Sequence, residues 1–353
     1  MTLLRPALVG ALLAMTAHAA TAEVLRFNEG GPNRGTRAAA LEFFSDRVGE
    51  LSGGDVTVDV TWGGALLKLR DTAEGVSDGV ADMGSIIANY TPNQTKALTI
   101  GDLPVGQSSD AWVGMRAMYE LMTTNPDVQA QLAEENLVYI SNYHSTSIQI
   151  ECRDGSEVTT PEDLEGLRIR ASGVYGKIFD DMGATLVNMP YNEVYQAYGS
   201  GLIDCDAGYF YTNRAYKLYE VIGDVLKTDF GQVAGFAIVM NKDRWDALDD
   251  GQQALLRQAG SDMVDHFAQL QIDGVDTMVA ELSGGDFGEA IEVREAPAEI
   301  KDALFAAAEP YAESWRTEFS DAGFDGDAVW ADYVAMIDKY TKIRDTEGYP
   351  WQR

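Results

Sequence analysis

Residues 159–172 read TTPEDLEGLRIRAS, and this stretch holds a helix start, a turn and a strand in close order. Thr160 suits the cap, Pro161 the first helical position, and Asp163 lies three residues after the cap, close to a capping box. The run LRIRAS follows as a strand, with Arg170 at its carboxyl end. Open α/β sheets collect ligands beyond the carboxyl ends of their strands. A guanidinium there presents a planar fork of donors that matches a carboxylate and stays charged when buried. Arg170 is therefore read as a carboxylate clamp, with a structural ion pair as the alternative.

Downstream, a helix through Val174 to Met182, the run ATLVNMP, a helix PYNEVYQAYGSG and a strand LIDCDAGYF continue the alternation. Upstream the same logic recurs. The strand VLRFNEG leads to a helix with Ala40, Phe43, Phe44 and Val48 at helical spacing, and then to the alternating strand VTVDV. A helical stretch from Leu66 to Ser77 and the apolar strand ADMGSII follow. Residues 108–135 read as helical, and LVYISNY and IQIEC as strands. Strands alternating with helices imply α/β construction with parallel pairing.

From Asp250 to Glu281 apolar residues recur every three or four positions without a proline. Such a helix would run roughly 48 Å, longer than one small lobe is wide, so it is expected to cross both lobes as a common spine. Two lobes are expected in any case, because the chain exceeds the size at which one core stops growing. Helices are expected from Ala296 onward.

Residues 1–22, MTLLRPALVGALLAMTAHAATA, combine an early Arg5, an apolar run and small residues at an A-x-A spacing. They read as a cleaved signal peptide, with the cut before Glu23, which places the mature chain in the periplasm. Cys152 and Cys205 allow a single pairing there: a disulfide, or two buried thiols. The chain carries 26 Lys and Arg against 56 Asp and Glu, a net charge of −30. That surface repels nucleic acid and anionic lipid, and the acids are dispersed rather than blocked. His144 and His266 are the only histidines after residue 22, and HExxH, CxxC, GxSxG and GxxxxGK[ST] patterns are missing. Metal, cofactor and enzymatic roles accordingly lack their usual machinery.

TTPEDLEGLRIRAS resembles the "pEDLkGlkiR" signature of TRAP-type solute-binding proteins, the DctP-like family. MPYNEVYQAYGSGLIDCDAGY, VMNKDRWDALDDGQQALLRQA, the opening LRF with GGDVTVDV, and GVADMGSII with DLPV resemble further family motifs in the family's order. The resemblance implies a two-lobed periplasmic binding protein fold, with a ligand cleft between lobes that closes on a small organic acid. It also implies delivery to TRAP membrane permease subunits without ATP. The lobes are expected at 23–148 plus about 237–277, and at 149–236 plus about 278–353.

Position by position, the resemblance makes Arg170 the clamp, with Ser172 and Gly173 beside it. It puts Tyr209, Phe210, Tyr211 and Asn213 on the second lobe's contact surface, and Asn28, Glu29, Asn89 and Tyr90 on the first lobe's. Gln149 stands near the place of a second arginine in some members, and Gln232 follows the strand leading back. The sequence departs from the family pattern at Cys205, where glycine is common, and at Gly208-Tyr209-Phe210, where an asparagine-proline pair is common. Aromatic residues facing the cleft imply a flat or partly apolar ligand, and Glu29 opposite an arginine would suit a zwitterion. The rival readings are a receptor for an ABC importer or a sensor kinase, and a periplasmic hydrolase or lyase.

Overall fold

The computed structural model describes residues 22–104, 106 and 108–353, so the expected signal peptide lies outside the described residues. The chain first builds β1 (Glu23–Asn28), α1 (Thr36–Ser52), β2 (Val56–Thr61), α2 (Thr72–Ser77), β3 (Met83–Ile87), α3 (Ala111–Thr124), α4 (Pro126–Glu134) and β4 (Leu137–Asn142). It then crosses to a second unit made of β5 (Gln149–Cys152), β6 (Arg168–Arg170), α5 (Gly173–Asp181), β7 (Thr185–Val187), α6 (Val194–Gly199), β8 (Cys205–Gly208), α7 (Phe210–Tyr216) and β9 (Asp224–Lys227). β10 (Phe236–Asn241) returns to the first unit, and α8 (Lys242–Asp246) and α9 (Asp250–Gly284) follow it. β11 (Glu292–Glu295) rejoins the second unit, and α10 (Ala298–Asp321) and α11 (Gly326–Glu347) close the chain.

The strands form two sheets, ordered β2-β1-β3-β10-β4 and β11-β9-β5-β8-β6-β7. Each is mixed rather than wholly parallel: β10 runs antiparallel to β3 and β4, and β5 antiparallel to β8 and β9. The crossings cause this, since β10 re-enters the first sheet antiparallel to β3 and β4, and β5 enters the second antiparallel to β8 and β9. The crossing segments, 143–148 and 228–235, also pair with each other. Ser145 N donates to Val233 O at 3.0 Å, Ile148 N to Gly231 O at 3.0 Å and Phe230 N to Ile148 O at 3.1 Å.

α9 runs 35 residues, about 52 Å at 1.5 Å per residue, and packs on α1, α3 and β4 of the first unit and on α7 and β11 of the second. A reciprocal capping box starts it: Gln252 N donates to Asp249 Oδ1 at 2.8 Å, and Asp249 N to Gln252 Oε1 at 3.1 Å. The short helix after Thr160 is a 3-10 turn, Pro161–Leu164, whose Asp163 carboxylate accepts from the backbone N–H groups of Thr159 and Thr160 at 2.7 and 2.8 Å.

Three local expectations change. The stretch expected as one helix over 108–135 breaks at Asn125-Pro126, because Pro126 cannot continue α3 while Asn125 Oδ1 caps α4 through Asp127 N and Val128 N. The helix expected over 66–77 shrinks to α2, since Asn28 ties Leu67 into a loop through Leu67 N and Leu67 O. The C-terminal region, expected to join the second lobe whole, divides: α10 packs against α5, and α11 lies along α3 of the first unit.

Candidate functional site

A single row of side chains across three strands of the second sheet sets the site's chemistry. Register places Glu151 of β5 opposite Asp206 of β8, and Asp206 opposite Arg170 of β6. Residues paired in register project from the same face, so one guanidinium and two carboxylates share it. All three are buried, Arg170 at 2% exposure and both acids at 0%. Cys152 and Cys205 pair one position along, on the opposite face, and form a disulfide with a Cα separation of 4.1 Å. The disulfide therefore sits behind the row and holds β5 against β8.

Arg170 donates from Nε and Nη2 to Met189 O at 3.1 and 3.0 Å, and from Nη2 to the Tyr90 hydroxyl at 3.1 Å; its Nη1 lies 3.4 Å from Asp206 Oδ1. The ring of Tyr191 lies under the guanidinium, 4.8 Å away. Burial opposes the arginine's charge, yet Tyr90, Asp206 and the neighbouring tyrosines outweigh it and hold its pKa above the ordinary value. Tyr90 comes from the first unit, and its hydroxyl also accepts from Tyr191 N at 2.9 Å. It thus bridges the units directly over the Arg170 guanidinium.

Burial lifts Asp206 to about 6, with Arg170 pulling the other way. Burial and the neighbouring Asp206 lift Glu151 to about 8, against a hydrogen bond from Asn213 Nδ2 at 2.8 Å. Neither Asp206 Oδ2 nor Glu151 Oε2 has a hydrogen-bond partner.

Beside this row a narrow cavity of about 20 Å³ lies between the units, lined among others by Arg34, Arg37, Tyr191, Tyr209, Tyr211 and Tyr216. Tyr191, Tyr209 and Tyr211 stack in series, with centroids 4.9 and 5.5 Å apart. On the far wall Arg37 Nη2 lies 3.0 Å from Glu29 Oε1 and donates to the Tyr216 hydroxyl at 3.2 Å. Glu29 is fully buried, and its Oε2 has no hydrogen-bond partner. Burial works against the Arg37 charge, but Glu29 and the surrounding tyrosines hold its pKa well above the ordinary value.

Of the residues expected at the site, the structure brings Arg170, Tyr90, Tyr209, Tyr211 and, across the cavity, Glu29 together. Ser172 is half-buried just past Arg170, and Gly173 opens α5 against Asn89, with φ +58. Asn89 and Gly173 line a separate cavity of about 190 Å³ toward α10.

The others point elsewhere. Asn28 spends both ends of its amide on the 67–72 loop. Asn213 is spent on the row itself, donating from Nδ2 to Glu151 Oε1. Gln149, Phe210 and Gln232 line a third cavity of about 360 Å³ beside the crossing segments and α9. Phe210 follows Tyr209 as the first residue of α7 and turns to that opposite side.

Sequence reasoning missed Arg37, Glu151, Asp206, Tyr191 and Tyr216. A usable signal existed for Arg37: it stands in the first turn of α1, where a cation opposes the helix dipole.

The DctP model, bacterial extracellular solute-binding protein family 7, matches residues 27–318. A solute-binding protein of Chromohalobacter salexigens is 27% identical over 241 residues, 67% of this chain and 69% of the relative. The ectoine-binding periplasmic protein TeaA of Halomonas elongata is 23% identical over 266 residues, 75% of this chain and 76% of the relative. Among solved structures, a TRAP solute-binding protein of Rhodoferax ferrireducens in complex with copurified benzoate superposes with a TM-score of 0.78 at 20% identity, covering 91% of this chain and 99% of that one. With the family model spanning most of its length and its two-sheet α/β architecture shared with these receptors, the chain belongs to the DctP family of TRAP-type solute-binding proteins.

Proposed function

We propose that this protein is a periplasmic receptor that captures a small carboxylate between its lobes and delivers it to TRAP permease subunits in the membrane. Residues 1–22 direct its export. The lobes are 23–148 with about 237–277, and 149–236 with about 278–353, α11 lying back across the first. The observation that carries the reading is Arg170: a buried guanidinium at the carboxyl end of β6, facing the other unit through Tyr90 and flanked by a tyrosine-lined cavity. Hinge closure about the crossing segments brings a ligand carboxylate onto the Nη1 and Nη2 edge, where it replaces the Tyr90 hydroxyl. The tyrosine stack favours a flat or partly apolar body. Among the described residues no helix is long and apolar enough to cross a membrane, which fits a receptor separate from its permease.

A second reading concerns ligand charge. Beyond its ion pair with Arg37, Glu29 keeps one buried oxygen, Oε2, without a hydrogen-bond partner, and that oxygen favours a ligand with a cationic or hydrogen-bond-donating group as well as its carboxylate.

A thermal-shift screen of benzoate, succinate, pyroglutamate and ectoine tests both readings, because a ligand at 100 times its Kd adds about 2.7 kcal/mol. Arg170→Ala is expected to weaken binding of every acid that scores by more than about tenfold, since truncating one partner of a buried charge pair costs about 2–5 kcal/mol. Unchanged affinity by calorimetry removes the clamp. Ectoine scoring above the simple acids selects the zwitterion.

A further inference from the structure

Arg170 does not stand as a free cation. Asp206 and Glu151 share its face in register, and both are fully buried. The other titratable or charged groups around Asp206 are Tyr191, Tyr198, Tyr209 and Tyr90, and none of them adds a positive charge. A buried ion must be balanced or neutralised. One guanidinium balances one carboxylate, so the second acid in the row holds a proton. Gly208 leaves the space that Glu151 fills: a Cβ there would lie 2.5 Å from Glu151 Oε2.

A ligand carboxylate arriving at Arg170 upsets this balance, because three carboxylates then surround one cation. We propose that anion binding here is proton-linked: as the lobes close on a carboxylate at Arg170, the Glu151–Asp206 pair takes up one proton from solvent, so that the pair sets the charge selectivity of the clamp. The inference rests on the carboxylate-clamp reading above.

The unpartnered Oδ2 of Asp206 is the atom available for that proton. Two groups this closely placed titrate as a unit. With the Asp206 carboxyl titrating at about 6 and Glu151 at about 8, the free receptor at neutral pH holds one proton on the pair, and the complex holds two. The sign follows: lowering the pH supplies the proton that the complex needs, and affinity rises. One linked proton allows at most about a tenfold gain per pH unit between pH 8 and 6. Benzoate and pyroglutamate are ionised throughout that range and add no titration of their own, whereas the second carboxyl of succinate is partly protonated at pH 6, so its proton count is read at pH 7 and 8.

Calorimetry of benzoate, succinate and pyroglutamate in phosphate and in imidazole, at pH 6, 7 and 8, reads the protons taken up from the dependence of observed heat on buffer. We expect about one half to one proton bound per acid at pH 7, and tighter binding at pH 6 than at pH 8. In the double variant Asp206→Asn with Glu151→Gln no carboxyl is left in the row to titrate, so the uptake disappears and the affinity becomes flat in pH, whereas a merely structural role would weaken binding equally at all three. Acids that bind wild-type protein with no uptake and no pH dependence overturn the linkage and leave the clamp standing. No binding by any of the three at any pH overturns the clamp reading, and this inference with it.

Discussion

Arg37 illustrates how a single side chain answers to several neighbours at once. Its guanidinium lies against Gly31, pairs with the fully buried Glu29 at 3.0 Å and donates to Tyr216 of the opposite unit. Removing it strands a buried carboxylate, a loss usually worth about 3–5 kcal/mol. Arg37→Ala is therefore expected to lower stability by that order in urea denaturation. The double variant Arg37→Ala with Glu29→Gln should recover most of the loss, because the remaining group is then neutral. If the two single losses simply add, the pair is not coupled. Arg170 was legible from sequence because strand, position and residue type coincide within one short segment. Asp206 was not, since its partners lie on other strands and spacing along the chain does not encode cross-strand rows; Arg37 was legible only as a cation placed against the helix dipole, with its partners hidden.

Among elements, α9 and the β5–β8 pair carry the arrangement. α9 approaches β4 so closely at Gly260 that an added Cβ would lie 2.4 Å from Ile140 O, and Ser141 Oγ donates to Gly260 O at 2.7 Å. In an isolated helix Gly→Ala gains about 1 kcal/mol. Here Gly260→Ala is expected to destabilise by about 1–3 kcal/mol, because backbone must move to admit the methyl. Thermal denaturation showing a gain would mean that the spine is loosely seated. The helix itself was readable from its unbroken periodicity, and its expected and observed ends agree to within three residues. The break at Asn125-Pro126 is equally written in the sequence, as a cap followed by proline. The strands β6 and β8 were likewise legible, in LRIRAS and LIDCDAGYF, but their order in the sheet is set by neighbours in space, with the disulfide holding β8 to β5.

For the whole molecule, the charge of −30 acts on everything at once. Like charges spread over one surface repel and favour the expanded state, and salt shortens the screening length from about 10 Å at 0.1 M to about 3 Å at 1 M. The melting temperature is expected to rise by several degrees from 0.1 to 1 M NaCl, as differential scanning calorimetry can establish. A flat or falling curve would mean that surface ion pairs such as Arg26–Asp82 outweigh the repulsion. The sequence by itself determined the alternation of strands and helices, the long spine and the arginine at a strand's end, because each is a local periodicity or a local cap. Only the tertiary structure decided what surrounds that arginine: two carboxylates in its own sheet, a tyrosine from the other unit above it, and a second arginine facing it across the cavity. Those neighbours come from segments far apart in the chain, and burial and charge balance act between side chains in space, where sequence order does not reach.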